Sequence, residues 1–284
     1  MNKQKKLSVT IGITTCYSDE SIIETIRSIR RSKVVKDFPI ILIADTVPVS
    51  SRAKANLEDL HVKLIENRTR GSQLEKQKQI LKLTKTDIII FTQDDVLIDE
   101  QAIATTIDRF ADHKDTTMIS ILNKPVKPTN LFESILCVGT ELVNKFATYW
   151  NGGDNYLSVI GRFMAFRTSV IKNKFRLPKT IVNGDGYYYL ENKRVGGKYE
   201  YIPQVAVYFK NPQNMKEHIR KSSRFQHSQI ETARYFKRVY FEYKVPNAVL
   251  LRSVIEQFLS MPILTTLYFF VFLYSFLVST QLLL

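Results

Sequence analysis

Asp87-Ile88-Ile89-Ile90-Phe91-Thr92-Gln93-Asp94-Asp95-Val96-Leu97-Ile98-Asp99 is a short β-branched apolar run that ends in two adjacent carboxylates. Its length and its isoleucines predict a strand covered on both faces, as in a parallel sheet. In open α/β sheets, ligands bind just beyond the carboxyl ends of such strands. Asp94 and Asp95 at that end suit a hard-oxygen site for a divalent cation, since Mg²⁺ is usually held by one or two protein carboxylates with substrate phosphates as further ligands. The same residues also read as a turn, with Asp99 capping the helix that follows.

Outward from this run, strands alternate with helices. Residues 7–14 alternate and are β-branched. Ser18, Asp19 and Glu20 then supply an N-cap and an acidic first turn for a helix whose apolar face is Ile22, Ile26 and Ile29. Residues 38–44 form a second strand that stops at Asp45, a third lies near residues 62–65, and a basic helix over about residues 72–85 leads into the Asp87 run. A helix with Ile103, Ile107 and Phe110 on one face follows, then a strand near residues 117–122. The alternation predicts an α/β fold with a mainly parallel sheet, right-handed crossovers and flanking helices. Beyond Lys124 the pattern changes to a helical stretch over residues 131–149, a Gly-rich turn at 151–154 and an apolar strand near 159–166, a half assigned to the acceptor side. There is no internal repeat, no low-complexity linker and no glycine-rich phosphate loop.

With 284 residues, 44% of them hydrophobic, the chain can bury a full core. Cys16 and Cys137 are its only cysteines and stand in no paired spacing, so neither a zinc site nor a disulfide framework is indicated and a reducing compartment fits. The net charge of +14 points to an anionic partner: nucleic acid, a phosphate-bearing substrate or an acidic membrane surface. No zinc, helix-turn-helix or RNA-binding signature accompanies the charge, which argues against nucleic acid.

The C-terminal end bears on the choice. After Glu256 no charged side chain occurs through Leu284. Residues 261–284 would measure about 36 Å as a helix, against about 30 Å of bilayer hydrocarbon, and so predict a transmembrane helix. Ten Lys or Arg and four Glu between Val205 and Glu256 precede it. By the positive-inside rule the remainder of the chain would be cytoplasmic, held by a single-pass C-terminal anchor. Residues 246–260 read either as an amphipathic interfacial segment or as the lead-in to the span. That leaves residues 1–245 as the globular domain. The first residues imitate a signal peptide but lack its continuous apolar core and cleavage site, and are read as the approach to the first strand.

Two further features carry chemistry. Asn183-Gly184-Asp185-Gly186 places a lone acid in a flexible turn, where it reads as a general base or as a plain turn residue. Lys221-Ser222-Ser223-Arg224-Phe225 offers two cations and an aromatic ring, suited to gripping a diphosphate beside a stacked ring, or else a solvated basic helix.

The order of these features resembles the inverting GT-A glycosyltransferases of family 2, which include cellulose and hyaluronan synthases and lipid-linked sugar transferases, over roughly residues 7–226. The resemblance implies the GT-A nucleotide-diphospho-sugar transferase fold. It implies that Thr15-Cys16-Tyr17-Ser18-Asp19 lines the nucleotide base, with Thr15, Tyr17 and Asp94 on the nucleotide side, and that Asp45 holds the base ring, usually uracil, so that a UDP-sugar is the favoured donor. Gln93-Asp94-Asp95 stands where the family has its Asp-x-Asp motif, making Asp95 the ligand of Mg²⁺ or Mn²⁺. Asp185 matches the catalytic base, and Gly196 and Pro203 fall where the family usually has its Gly and Pro. Lys221, Arg224 and Phe225 match the motif that contacts diphosphate and acceptor. Three positions depart from the pattern: Gln93 replaces the first metal acid, Gly184 the Glu before the base, and Phe225 a Trp. The implied activity is metal-dependent, inverting transfer of a sugar to a lipid or glycan hydroxyl at the cytoplasmic face. The competing expectation is a decayed, membrane-anchored protein that binds nucleotide sugar or a partner without turnover.

Overall fold

The structure is a computed structural model. It describes residues 7–16, 20–33, 38–179, 181–236 and 244–281, the side chains of residues 223–230 and 279–281 excepted.

Among the described residues, eight strands form one sheet: β1 (Val9–Thr15), β2 (Ile40–Ala44), β3 (Val62–Glu66), β4 (Ile88–Gln93), β5 (Val96–Ile98), β6 (Thr116–Pro125), β7 (Phe163–Arg167) and β8 (Lys198–Phe209), in the order β3-β2-β1-β4-β7-β6-β8-β5. The helices are α1 (Glu20–Arg30), α2 (Ser51–Asp59), α3 (Gln73–Leu83), α4 (Ala102–Asp112), α5 (Leu131–Tyr149), α6 (Thr168–Lys174), α7 (Gly184–Arg194), α8 (Met215–Tyr235), α9 (Asn247–Ser260) and α10 (Pro262–Gln281). The central strands are covered on both sides, and their residues alternate between two cores. Ile40, Leu42, Ile88 and Ile90 pack with α1 and α4 through Ile22, Ile26, Ile103 and Phe110. Ile41, Ile43, Ile89 and Phe91 pack on the other face with Ile80 of α3 and Tyr188 of α7. This two-sided burial is why the Asp87 run is apolar at every position rather than at alternate ones.

The sheet is mixed rather than mainly parallel. β3, β2, β1 and β4 are parallel, as are β6 and β8. β7 runs antiparallel to both β4 and β6, and β5 antiparallel to β8. The physical reason lies in the connection: α5 and the short turns after it deliver the chain to the carboxyl edge of β4, where Phe163 pairs with Thr92, and from there a strand can only run back.

The expected C-terminal transmembrane helix is also corrected. Among the described residues, no helix is long and apolar enough to cross a membrane, so the single-pass anchor and the cytoplasmic orientation read from it lose their support. α10 instead lies against α5 and α8. Tyr268 fills the space over Gly139 of α5, where a Cβ would overlap its ring. Thr265 is buried and its hydroxyl donates to the Gln257 carbonyl, while buried Ser275 contacts Met215 of α8. α9 docks on α5 by the Gln257 amide donating to Glu141 at 2.7 Å and by Tyr149 donating to Glu256 at 2.8 Å. Length and missing charge were the sequence signal, and neither reports that one face of the helix is occupied by the domain.

Candidate active site

Chain order in the sheet reverses between β1 and β4: β1 leads away to β2 and β3, and the chain returns to β4 on the other side. Thr14 pairs with Gln93 at this boundary. Such a switch point opens a crevice beyond the carboxyl ends of the strands, and the expected chemistry falls around it.

Asp94 and Asp95 form a bend between β4 and β5, Asp94 half-buried and Asp95 exposed. Their backbone is tied to α1: the buried Thr25 hydroxyl lies 3.0 Å from the Asp94 carbonyl and 2.7 Å from that of Val96, and Ser21 donates to Asp94 at 3.2 Å. Asp99 closes the turn before α4, accepting from the Gln101 N–H at 2.8 Å, so the turn reading of that residue and the site reading of its neighbours coexist.

Asp185 does not lie in a flexible turn. It sits in the first turn of α7, which Asn183 caps by accepting from the Gly186 N–H at 3.2 Å. The Asn-x-x-Gly spacing is a cap signal that the glycines obscured. Oδ2 of Asp185 accepts from the Gly161 N–H at 3.0 Å and Oδ1 from that of Gly186 at 3.1 Å. Gly161 is wedged between two elements: a Cβ there would lie 3.5 Å from the Gln93 amide nitrogen and 3.6 Å from Asp185 Oδ2. The ends of β4 and α7 thus meet over Gly161. Burial pushes the Asp185 carboxyl above the usual carboxylate range, against the opposing pull of these N–H groups and of the Arg162 charge. A carboxylate raised in this way is suited to accept a proton.

Arg162 is the residue that sequence reading missed. Its guanidinium lies over the Phe209 ring, 3.8 Å from the centroid, and the charges of Asp95 and Asp185 both act on it. Lys221, half-buried on α8, feels burial first, then the Arg162 charge, then the favourable charge of Asp95, and the net result is a lowered pKa. Asp95, Asp185, Lys221 and Arg162 therefore form one electrostatic group. The only sequence signal for Arg162 was a charged residue directly before a buried apolar strand.

Thr15 and Asp45 belong to a second group. The Asp45 side chain has no exposed surface. Oδ1 takes the Lys76 ammonium at 3.0 Å and Oδ2 the Gly71 N–H at 2.8 Å. Lys76 also donates to the Thr15 carbonyl at 2.9 Å and contacts Cys16 Sγ at 3.0 Å. Asp45 thus faces Lys76 and Gly71 rather than open space. Lys76, another residue missed, was legible only as a lysine on the same stretch as Leu74, Ile80 and Leu81. Tyr17 and the side chains of Arg224 and Phe225 lie outside the described residues.

A divalent cation fits this donor set poorly. The first position of the motif holds the neutral Gln93, the charges of Arg162 and Lys221 both lie in the field of Asp95, and among the described residues no three His, Cys, Asp or Glu come together as a metal-holding group. A cation there would have fewer carboxylates than the family pattern supplies and would be repelled by the charges of Arg162 and Lys221.

Residues 8–228 match the family described as glycosyltransferase like family 2. The chain belongs to that family. Among solved structures, it resembles the mannosyltransferase PcManGT from Pyrobaculum calidifontis, which is in complex with GDP-Man and Mn²⁺: TM-score 0.60, 14% identity, 98% of this chain and 79% of that one. It also resembles residues 1–349 of TarS from S. aureus in complex with UDP-GlcNAc: TM-score 0.54, 15% identity, 73% of this chain and 60% of that one. At such identities the likeness is one of fold. No curated protein matches the sequence.

Proposed function

We propose that this chain is an inverting glycosyltransferase that moves a sugar from a nucleoside diphosphate sugar to a hydroxyl of a lipid or glycan acceptor. The observation that carries the reading is the Asp185 carboxylate. It is anchored by the Gly161 and Gly186 N–H groups at the switch-point crevice, and burial raises its proton affinity. Asp185 takes the proton of the acceptor hydroxyl as general base, worth about 10² to 10⁴ in rate. The acceptor oxygen bonds to the anomeric carbon as the bond to the diphosphate breaks, and one displacement inverts that carbon. Lys221 and Arg224 meet the charge of the departing diphosphate.

Thr15, Tyr17 and Asp94 form the nucleotide side. Asp45 acts there by positioning, holding Lys76 and the Gly71 backbone, rather than by offering its carboxylate to the base. The nucleoside diphosphate sugars bound by the two similar structures support a donor of that class, and the resemblance to family 2 favours a UDP-sugar. A second reading, nucleotide-sugar binding without turnover, is favoured by Gln93 and Gly184 standing where the family has acids. Binding of UDP, GDP and dTDP to the purified chain, followed by turnover of the matching nucleotide sugar, separates the two. Binding with turnover supports transfer, and binding without any turnover or hydrolysis supports the second reading.

A further inference from the structure

Arg162 lies in the field of both Asp95 and Asp185. Its own residue follows Gly161, whose N–H holds the general base, and its side chain stacks on Phe209 at the end of β8. Stacking on a ring fixes a guanidinium plane without using its donors. The Nε of Arg162 is closed off from solvent and has no hydrogen-bond partner among the described residues. A buried charged donor left unpaired costs stability, and a phosphate oxygen is the acceptor that a guanidinium matches in shape and charge. Gln93, in place of an acid, removes one negative charge from the crevice, and Arg162 supplies one positive charge. Lys221 on α8 adds a second cation, whose charge and that of Arg162 are both felt together with that of Asp95.

Resting on the transferase reading above, we propose that Arg162, with Lys221, is the fixed cation that receives the leaving diphosphate, and that the chain transfers sugar without a divalent metal. In the step, the acceptor proton goes to Asp185 and the new bond forms at the anomeric carbon. The old carbon–oxygen bond leaves its electron pair on the diphosphate, whose added charge falls on Arg162 and Lys221. No oxidant, reductant or further reactant is needed.

The test is calorimetric titration of the full chain with UDP and GDP and with the matching monophosphates, in EDTA and in Mn²⁺, for wild type, Arg162→Met and Arg162→Lys, with thermal melting of each variant. The expected result is wild-type binding of one diphosphate in EDTA within about three-fold of that in Mn²⁺. Arg162→Met should lose at least about ten-fold in diphosphate affinity, the scale of one charged hydrogen bond, with a smaller loss for the monophosphate, and Arg162→Lys should regain part. Binding by wild type in Mn²⁺ alone overturns the inference and leaves the transferase reading standing. Equal losses for diphosphate and monophosphate in Arg162→Met, with no recovery in Arg162→Lys, show a structural counter-charge and also overturn it. Should Arg162→Met fail to fold, the wild-type EDTA comparison and Arg162→Lys decide. Failure of wild type to bind any of the nucleotides under either condition overturns the transferase reading and the inference together.

Discussion

Lys76 Nζ lies 3.0 Å from Asp45 Oδ1, and the two side chains are almost wholly removed from solvent, at 2% and 0% exposure. This ion pair joins α3 to the end of β2, and through the Thr15 carbonyl to the end of β1. Three elements that border the crevice are thereby held by one ammonium group.

Removing one member of such a pair leaves a buried charge unanswered, so Lys76→Met and Asp45→Ala should each cost about 3–5 kcal/mol in urea denaturation. The double variant should lose less than the sum of the two, because the partners are in contact. Burial alone would raise the Asp45 carboxyl, but the Gly71 N–H and the Lys76 ammonium outweigh it and hold the carboxyl below its ordinary 3.8. A group lowered in this way stabilises the fold above its ordinary value, and the contribution fades as pH falls through the lowered one. The stability gap between wild type and Asp45→Asn should therefore be full at pH 7 and narrow in acid.

Asp185→Asn should reduce transfer by about 10² or more while nucleotide binding persists. Its carboxyl is raised in the folded chain, so the sign is reversed relative to Asp45: the contribution to stability is present at low pH and is lost as pH rises through the raised value. Keeping Asp185 ionised at neutral pH therefore opposes folding. The melting temperature of Asp185→Asn should equal or exceed that of wild type at neutral pH, with the difference shrinking toward pH 4. In the wild type, the acidic limb of the kcat/KM profile should lie above the ordinary carboxylate range. Substantial residual turnover in Asp185→Asn would rule it out as the base.

α7, which carries Asp185 at its start, is anchored near its end by Glu191. Its side chain is wholly buried and takes both Arg176 and Arg194, at 3.1 and 2.5 Å. Burial raises this carboxyl, and the Arg194 and Arg176 hydrogen bonds lower it further than burial raises it. Glu191→Ala removes these charged hydrogen bonds, but Arg176 and Arg194 keep solvent access, so it should cost about 1.5–3 kcal/mol, read as a lower urea midpoint.

The packing of α10 predicts a different outcome. A side chain at position 139 would overlap the Tyr268 ring, so Gly139→Val must push α10 away from α5. Amide hydrogen exchange over residues 262–278 should speed up markedly. Unchanged exchange would mean that α10 is held by other contacts.

Much of the fold was legible locally, because the run of Ile88 to Phe91 and the spacing of Ile22, Ile26 and Ile29 report burial through residue type and period alone. The positions of Asp94 and Asp95 beyond an apolar run marked the candidate site for the same reason: acids at the end of a buried strand are visible as a break in a pattern, whereas Asp185 was read in a flexible turn and its helix was not seen. The direction of β7 was not legible, since a strand's apolar residues read the same in either sense. For the C-terminal helix, residue type reports hydrophobicity but not what covers it, and the docking of Tyr268 over Gly139 depends on a partner more than a hundred residues away. The sequence by itself determined that a covered sheet ends in carboxylates; only the tertiary structure decided which charges face them. Lys76 and Arg162 sit in their places because electrostatic energy depends on distance and on exclusion of water, and both are properties of the folded chain rather than of any segment.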